Sequence, residues 1–250
     1  MSLDSCLVIT MLIIKMNSRP VRRRRRPKPV QLGLAARGQH GGYRANAGRR
    51  RGRRVSKLMP HLTREEVRPA DVLHVTVRCV EGLPNLRREA PRAVIEPILR
   101  AEREKKGFRL IHYAIRGNHL HLVCEAETAL ALARGIQRIT ARIARALNRL
   151  FGRKGRVFAD RYHRRTATTP REVRTLLRYV LLNDHKDSWA RGEIVEGIDP
   201  YSSGRWFDGW TDGVRAPPRD KSDAPVVVPP TCWLLTTGWR RYGRIAAVWK

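Results

Sequence analysis

The amino-acid sequence predicts an α+β fold in which helices pack against a single antiparallel sheet, in a ferredoxin-like layout. Between residues 71 and 183, stretches of alternating apolar residues and stretches of helical spacing follow in the order β-α-β-β-α-β-α. Only the short turn 116–118 separates the second strand from the third, which favours a hairpin and therefore antiparallel pairing. Helices between such strands pack on a sheet of this kind.

The first four elements follow from local patterns. Residues 71–80 alternate apolar and polar side chains and predict a strand with one apolar face. Apolar residues recur at helical spacing in 91–106, and Gly107 then ends the predicted helix. Two further strands are predicted at 109–115 and 119–125. Together these strands form the expected hairpin.

The second half of the predicted domain begins with a long helix at 128–151, where apolar residues recur every three or four positions. A glycine-containing turn follows, and residues 157–158 and 162–169 predict a fourth strand. A threonine, a proline and a glutamate within 169–172 form a helix-start signature. We expect this last helix to run to about Asn183.

Composition divides the chain into three parts. Residues 1–60 form a low-complexity basic arm that buries too little apolar surface to fold alone, and we predict that it is disordered. Residues 68–190 are the predicted folded domain. Residues 191–250 are predicted to be a proline-containing linker followed by a small C-terminal segment.

The net charge of +30 predicts a polyanionic partner, nucleic acid before an anionic membrane. An apolar run at 7–14 is too short to span a bilayer, and we expect no membrane association. The alternative is that the arginines form only a solvated tail and surface. The arginines that we predict to bind DNA are Arg22, Arg23, Arg24, Arg25, Arg26, Arg50, Arg51, Arg53, Arg54, Arg138, Arg142 and Arg161.

The four cysteines are far apart in sequence and form no C-x-x-C pair. This spacing argues against a disulfide framework and against a zinc ribbon. We therefore expect a reducing, cytoplasmic environment.

His119 and His121 flank one apolar residue on a predicted strand, so both imidazoles project from the same face. Neutral imidazoles aimed at one point are good ligands for a divalent cation. Tyr179 and Asn183 lie four residues apart on the last predicted helix, where a phenol nucleophile and an amide oxygen would share a face. The alternatives are two half-exposed strand histidines and a tyrosine at the edge of the core.

Three motifs together resemble the single-tyrosine transposases of the HUH endonuclease superfamily, above all the REP-associated tyrosine transposases of bacteria. They are the strand 119–121, the run 157–163, and the helix start 169–172 that leads into 178–183. The resemblance covers about residues 70–190, and the Gly/Arg-rich arm is also similar to family members. It implies the HUH endonuclease core fold.

The resemblance implies that His119, His121 and Asn183 bind Mg²⁺ or Mn²⁺. It implies that Tyr179 attacks single-stranded DNA beside a hairpin or palindromic end, leaving a 5′-phosphotyrosine and a free 3′-OH. The protein would act as a monomer or homodimer. In relatives the asparagine is often followed by proline, whereas Asp184 follows it here.

Three other functions stay open at this point. The protein could hold hairpin DNA without cutting it, as a domesticated binding protein would. It could be a replication-initiator-type HUH nuclease, which shares the same chemistry. An RNA-binding module on a ferredoxin-like sheet would normally need sheet-face aromatics, and the strands offer mainly Tyr113.

Overall fold

A computed structural model describes residues 65–211, 213–214 and 224–249 of the chain. The predicted basic arm, with the nine arginines between Arg22 and Arg54 that we predict to bind DNA, lies outside the described residues. The sheet has five strands: β1 (Val72–Arg78), β2 (Glu104–Lys105), β3 (Phe108–Ile115), β4 (His119–Ala126) and β5 (His163–Ala167). Their order across the sheet is β2-β3-β4-β1-β5, and all neighbours are antiparallel. Apart from the short β2, this is the ferredoxin-like arrangement, so the predicted fold class is confirmed.

The helices of the described residues are α1 (Glu89–Glu102), α2 (Ala129–Leu150), α3 (Pro170–Leu181), α4 (Asn183–Ala190) and the short α5 (Trp233–Thr236). Two 3₁₀ helices lie at Ser203–Trp206 and Gly238–Tyr242. Each helix that the described residues contain is too short or too polar to cross a membrane.

The boundaries of three predicted elements are wrong. The first helix stops at Glu102 rather than 106, because Gly107 (φ 71°) turns the chain and lets Glu104–Lys105 pair with β3. Phe158 makes only an isolated bridge to Cys79, so the fourth strand is limited to β5. The helix predicted to reach Asn183 ends at Leu181.

Opposite faces of the sheet carry two separate apolar clusters. On one face, α1 and α2 pack against residues such as Leu73, Val75 and Leu122. On the other face, α3 packs against Ile111 and Val123. Successive side chains of a strand point to opposite faces, so His119 and His121 lie on the α3 side together with Val123. The helix pair α1–α2 is therefore on the far side of the sheet from these histidines.

The described part of 191–250 belongs to the main folded unit, which spans residues 55–250. Trp239 is 1% exposed and packs with its ring centroid 5.4 Å from that of Phe207, in the cluster on the α3 face. The sequence predicted a linker and a small terminal segment here. The described residues of this stretch instead belong to the core, because their apolar side chains cover apolar surface of α3 and its strand partners.

Candidate active site

The two histidines of β4 face each other across a short gap. Nε2 of His119 lies 3.0 Å from Nε2 of His121, and the two rings are nearly perpendicular at 88°. His121 is buried, whereas His119 lies at the edge of the sheet and is partly exposed. The predicted common face of the two imidazoles is confirmed.

Hydrogen-bond partners assign the tautomer of each ring. Nδ1 of His119 donates to Oδ1 of Asn118 at 2.7 Å, so its Nε2 carries a lone pair. Nδ2 of Asn183 donates to Nε2 of His121 at 3.2 Å, so this nitrogen also carries a lone pair. Two unprotonated nitrogens therefore point at the same small space.

Both imidazoles are held in their neutral form. Burial, together with the nearby charges of Arg116 and Arg78, lowers the pKa of His119 to about 4. Burial, followed by the neighbouring His119 and His74, places the pKa of His121 well below its ordinary value. Neutral nitrogen is the form that binds a cation.

The separation of the two nitrogens fits a shared divalent cation. Two ligands at right angles and ~2.1 Å from one ion are about 3.0 Å apart. The observed Nε2–Nε2 distance is 3.0 Å. Among the residues that the structure describes, no cluster of three or more His, Cys, Asp or Glu side chains could hold a metal ion. The side-chain amide of Asn183 is in contact with His121 and could supply a further ligand.

Asn183 reaches the histidines from α4 and not from the helix of Tyr179. Leu182 (φ −118°, ψ 20°) leaves the helical conformation, and its N–H bonds to the carbonyl of Arg178, so α3 ends there. The chain starts a new helix at Asn183, whose side chain is buried. The predicted shared helix face of Tyr179 and Asn183 is thus wrong, although both side chains border His121.

Ion pairs fix the start of α4 beside the histidines. Arg87 and Arg116 bond to the carboxylate of Asp184 at 2.9 Å and 3.2 Å, and Arg116 also pairs with Asp187. Arg116 is 7% exposed and lies in the turn between β3 and β4. Asp184 takes the position that proline often has in relatives, and it ties Asn183 to the hairpin.

Tyr179 of α3 lies next to this histidine pair. Its ring centroid is 5.3 Å from that of His121, at an interplanar angle of 72°. Nζ of Lys186 on α4 lies 5.4 Å from the centre of the same ring. The structure therefore brings a phenol, two neutral imidazoles, an amide and an ammonium group together on one face of the sheet.

Sequence reasoning missed two residues of β1. Nε2 of His74 is 3.0 Å from Nδ1 of His121, and Oγ1 of Thr76 is 3.2 Å from the same atom. Their positions on the polar side of the first predicted strand were a visible signal. Their proximity to His121 depends on the register of β1 against β4, in which Thr76 pairs with His121.

One comparison with known protein families matches part of the chain. Residues 74–183 match the sequence model described as "Transposase IS200 like". This segment, called the transposase segment below, is similar to the IS200-like transposase family. It contains the side chains described above, from His74 on β1 to Asn183 on α4, except Asp184, Lys186 and Asp187.

Several solved chains are similar to this chain, among them the following structure. It is described as "Structure of the REP associates tyrosine transposase bound to a REP hairpin". The identity is 12%, the TM-score is 0.47, and the match covers 69% of this chain and 99% of the other. A search of curated proteins gave no match.

The predicted DNA-binding arginines of the transposase segment have different surroundings. Nε of Arg138 donates to Glu102 at 3.1 Å, and Nη1 of Arg142 donates to the same carboxylate at 2.5 Å. Glu102 is buried, so both arginines neutralise a carboxylate between α1 and α2. They also lie on the face of the sheet opposite Tyr179. Arg161 is exposed just before β5. The DNA-binding role of all three stays a prediction.

Proposed function

We propose that this protein cleaves and rejoins single-stranded DNA beside a hairpin, with Tyr179 as nucleophile. The observation that carries the proposal is the position of the Tyr179 ring, 5.3 Å from that of His121, whose Nε2 shares a small space with Nε2 of His119. Two neutral imidazoles that share one cation and a neighbouring phenol are the groups that phosphoryl transfer to a tyrosine requires.

In the proposed reaction, the phenol oxygen of Tyr179 forms a bond to the scissile phosphorus. The bond from phosphorus to the 3′ oxygen breaks, the phenol loses its proton, and the departing 3′ oxygen gains one. The products are a 5′-phosphotyrosine and a free 3′-OH. Attack by the 3′-OH of another strand end reverses the step, so the phosphodiester energy is conserved and no nucleotide cofactor is consumed.

His119 and His121, with the amide oxygen of Asn183, would hold Mg²⁺ or Mn²⁺. When bound, such an ion withdraws charge from the oxygens of the scissile phosphate. The protein itself supplies further positive charge beside the site through Arg78, Arg116 and Lys186, all of which act on the histidines electrostatically. These groups favour the approach of a phosphate chain.

Covalent adduct formation tests the proposal directly. The full chain is incubated with labelled hairpin-bearing single-stranded DNA and Mg²⁺ or Mn²⁺, and adducts are separated under denaturing conditions. We expect adducts with the wild type and with Tyr242→Phe, an exposed tyrosine on the C-terminal 3₁₀ helix. We expect none with Tyr179→Phe, which should still bind the hairpin.

Two results would contradict the proposal. Adducts that persist in Tyr179→Phe would exclude this tyrosine as the nucleophile. Tight hairpin binding by the wild type without any metal-dependent adduct would instead indicate a DNA-binding protein that does not cut.

A further inference from the structure

We propose that His74, assisted by Thr76, is a positioning residue that sets the tautomer and ring orientation of His121. The inference rests on the proposed cation site but concerns a residue with no assigned role in it. His74 lies on β1, on the side of His121 that faces away from His119. Its Nε2 is 3.0 Å from Nδ1 of His121, and the ring centroids are 5.1 Å apart.

A neutral imidazole has one N–H, and the contacts of His121 decide which nitrogen carries it. Nε2 accepts a hydrogen bond from Asn183, so the hydrogen is on Nδ1. Nδ1 then donates to Nε2 of His74 or to Oγ1 of Thr76, the two groups within reach. His74 can accept only if its own hydrogen is on Nδ1. This tautomer assignment is compatible with the contacts of His121 to Asn183, His74 and Thr76.

The opposite tautomer of His121 would close the cation site. With the hydrogen on Nε2, the 3.0 Å separation from Nε2 of His119 becomes an ordinary hydrogen bond. Nε2 of His121 would then carry a hydrogen in place of a free lone pair, and the lone pair of Nε2 of His119 would accept that hydrogen. An acceptor at Nδ1 of His121 favours the cation-binding arrangement over this closed one. His74 supplies such an acceptor beside Thr76, and its partly buried position strengthens the contact relative to one in water.

Metal-binding histidines generally depend on a hydrogen bond at the ring nitrogen that does not bind the metal. The ring nitrogen that does not bind the metal usually has a fixed hydrogen-bond partner, and removing that partner weakens metal affinity by about 10–100-fold. At His119 the partner is Asn118. At His121 the corresponding partner is His74, on a neighbouring strand and 47 residues away in sequence.

Manganese binding by the full chain without DNA tests the inference, and it needs no activity. His74→Phe keeps a ring but removes the acceptor, and we expect its Mn²⁺ affinity to fall by about 10–100-fold. His74→Gln keeps an acceptor and should recover most of the affinity. His112→Gln is the control, because His112 is a buried histidine on the same side of the sheet but bonds to Ser203. We expect it to bind Mn²⁺ as the wild type does.

Nitrogen-15 NMR of labelled histidines supplies a second readout that a general loss of stability does not mimic. Without metal, we expect His121 to be protonated at Nδ1 in the wild type and in His74→Gln. In His74→Phe a large fraction should shift to the Nε2–H tautomer. If His74→Phe does not fold, the Mn²⁺ affinity and the His121 tautomer are compared among Thr76→Val, His74→Gln and the wild type. These two measurements then test the positioning role.

The outcomes separate this inference from the proposed function. Wild-type Mn²⁺ binding that is lost in His119→Ala but unchanged in His74→Phe, with an unchanged His121 tautomer, overturns the positioning role alone. The same holds if spectroscopy of bound Mn²⁺ shows that His74 is itself a ligand. A wild-type chain that binds no Mn²⁺ overturns both the cation site and the role of His74.

Discussion

His119 and His121 present unprotonated Nε2 atoms to each other at 3.0 Å, because each ring is fixed by a different partner. Two facing lone pairs repel unless a cation or a proton lies between them. Burial and positive neighbours disfavour the proton, since they lower the pKa of both rings. The arrangement therefore supports the proposed cation site.

Asn183 gives the first prediction. Asn183→Ala should weaken Mn²⁺ binding by at least about tenfold, because it removes the only protein amide in contact with His121 among the described residues. Asn183→Asp should bind Mn²⁺ at least as tightly as the wild type, because a carboxylate oxygen is a harder ligand with a full charge. Calorimetric titration measures both. Equal affinity of the alanine variant and a remote Asn148→Ala control would exclude Asn183 as a ligand.

Glu102 gives a prediction about stability. Replacing Arg138 and Arg142 together with alanine should lower the free energy of unfolding by about 2 kcal/mol, because it leaves a buried carboxylate unpaired. The value lies below that of a fully buried pair, since both arginines are about 40% exposed. Adding Glu102→Gln should restore most of the loss. Urea denaturation measures these differences, and no recovery in the triple variant would argue against this electrostatic cause.

The Glu102→Gln variant also distinguishes a structural role of Arg138 and Arg142 from a DNA-binding role. In the Glu102→Gln chain, the arginines no longer neutralise a carboxylate. If they contact DNA, their removal there should weaken binding and reduce its salt dependence. Unchanged binding would leave them with the structural role alone.

His112 gives a prediction about pH. Burial lowers its pKa to about 4, whereas an unfolded histidine has a pKa of about 6.5. Between these values the unfolded chain binds a proton that the folded chain does not. The contribution of neutral His112 to the free energy of unfolding is therefore fully present above pH 6.5. This contribution falls by up to about 3 kcal/mol as the pH falls towards 4. His112→Gln should show a smaller loss of stability from pH 7 to pH 4 than the wild type, in urea unfolding at each pH.

An identical pH slope in the two proteins would contradict a neutral, buried His112. The wild-type slope also contains the other buried histidines, so only the difference between the proteins is assigned to His112.

Trp239 tests whether the C-terminal aromatics belong to the core. Trp239→Ala should lower the stability of the whole domain by about 3–5 kcal/mol, because its ring is buried against Phe207. Trp233 is 48% exposed, and Trp233→Ala should cost much less. Thermal unfolding followed by circular dichroism measures both. A domain that unfolds at the same temperature without the Trp239 ring would show that this segment packs independently of the sheet.

Local patterns along the chain determined much of this protein. The alternation of β4 placed His119 and His121 on one face, because side chains of a strand alternate regardless of what packs on them. The cap of α3 was also readable, since the bonds between Thr169 and Glu172 span only three residues and form as predicted. The order of strands and helices followed from the same short-range periodicities.

Only the tertiary structure decided how distant segments complete the site. The register of β1 against β4 places His74 and Thr76 beside His121, and no local pattern encodes a register between strands more than 40 residues apart. The break at Leu182 moved Asn183 to a new helix, which ion pairs with the β3–β4 turn hold in place. The sequence by itself thus supplied the chemical groups, while long-range packing chose their partners, because contact between remote segments depends on the whole fold.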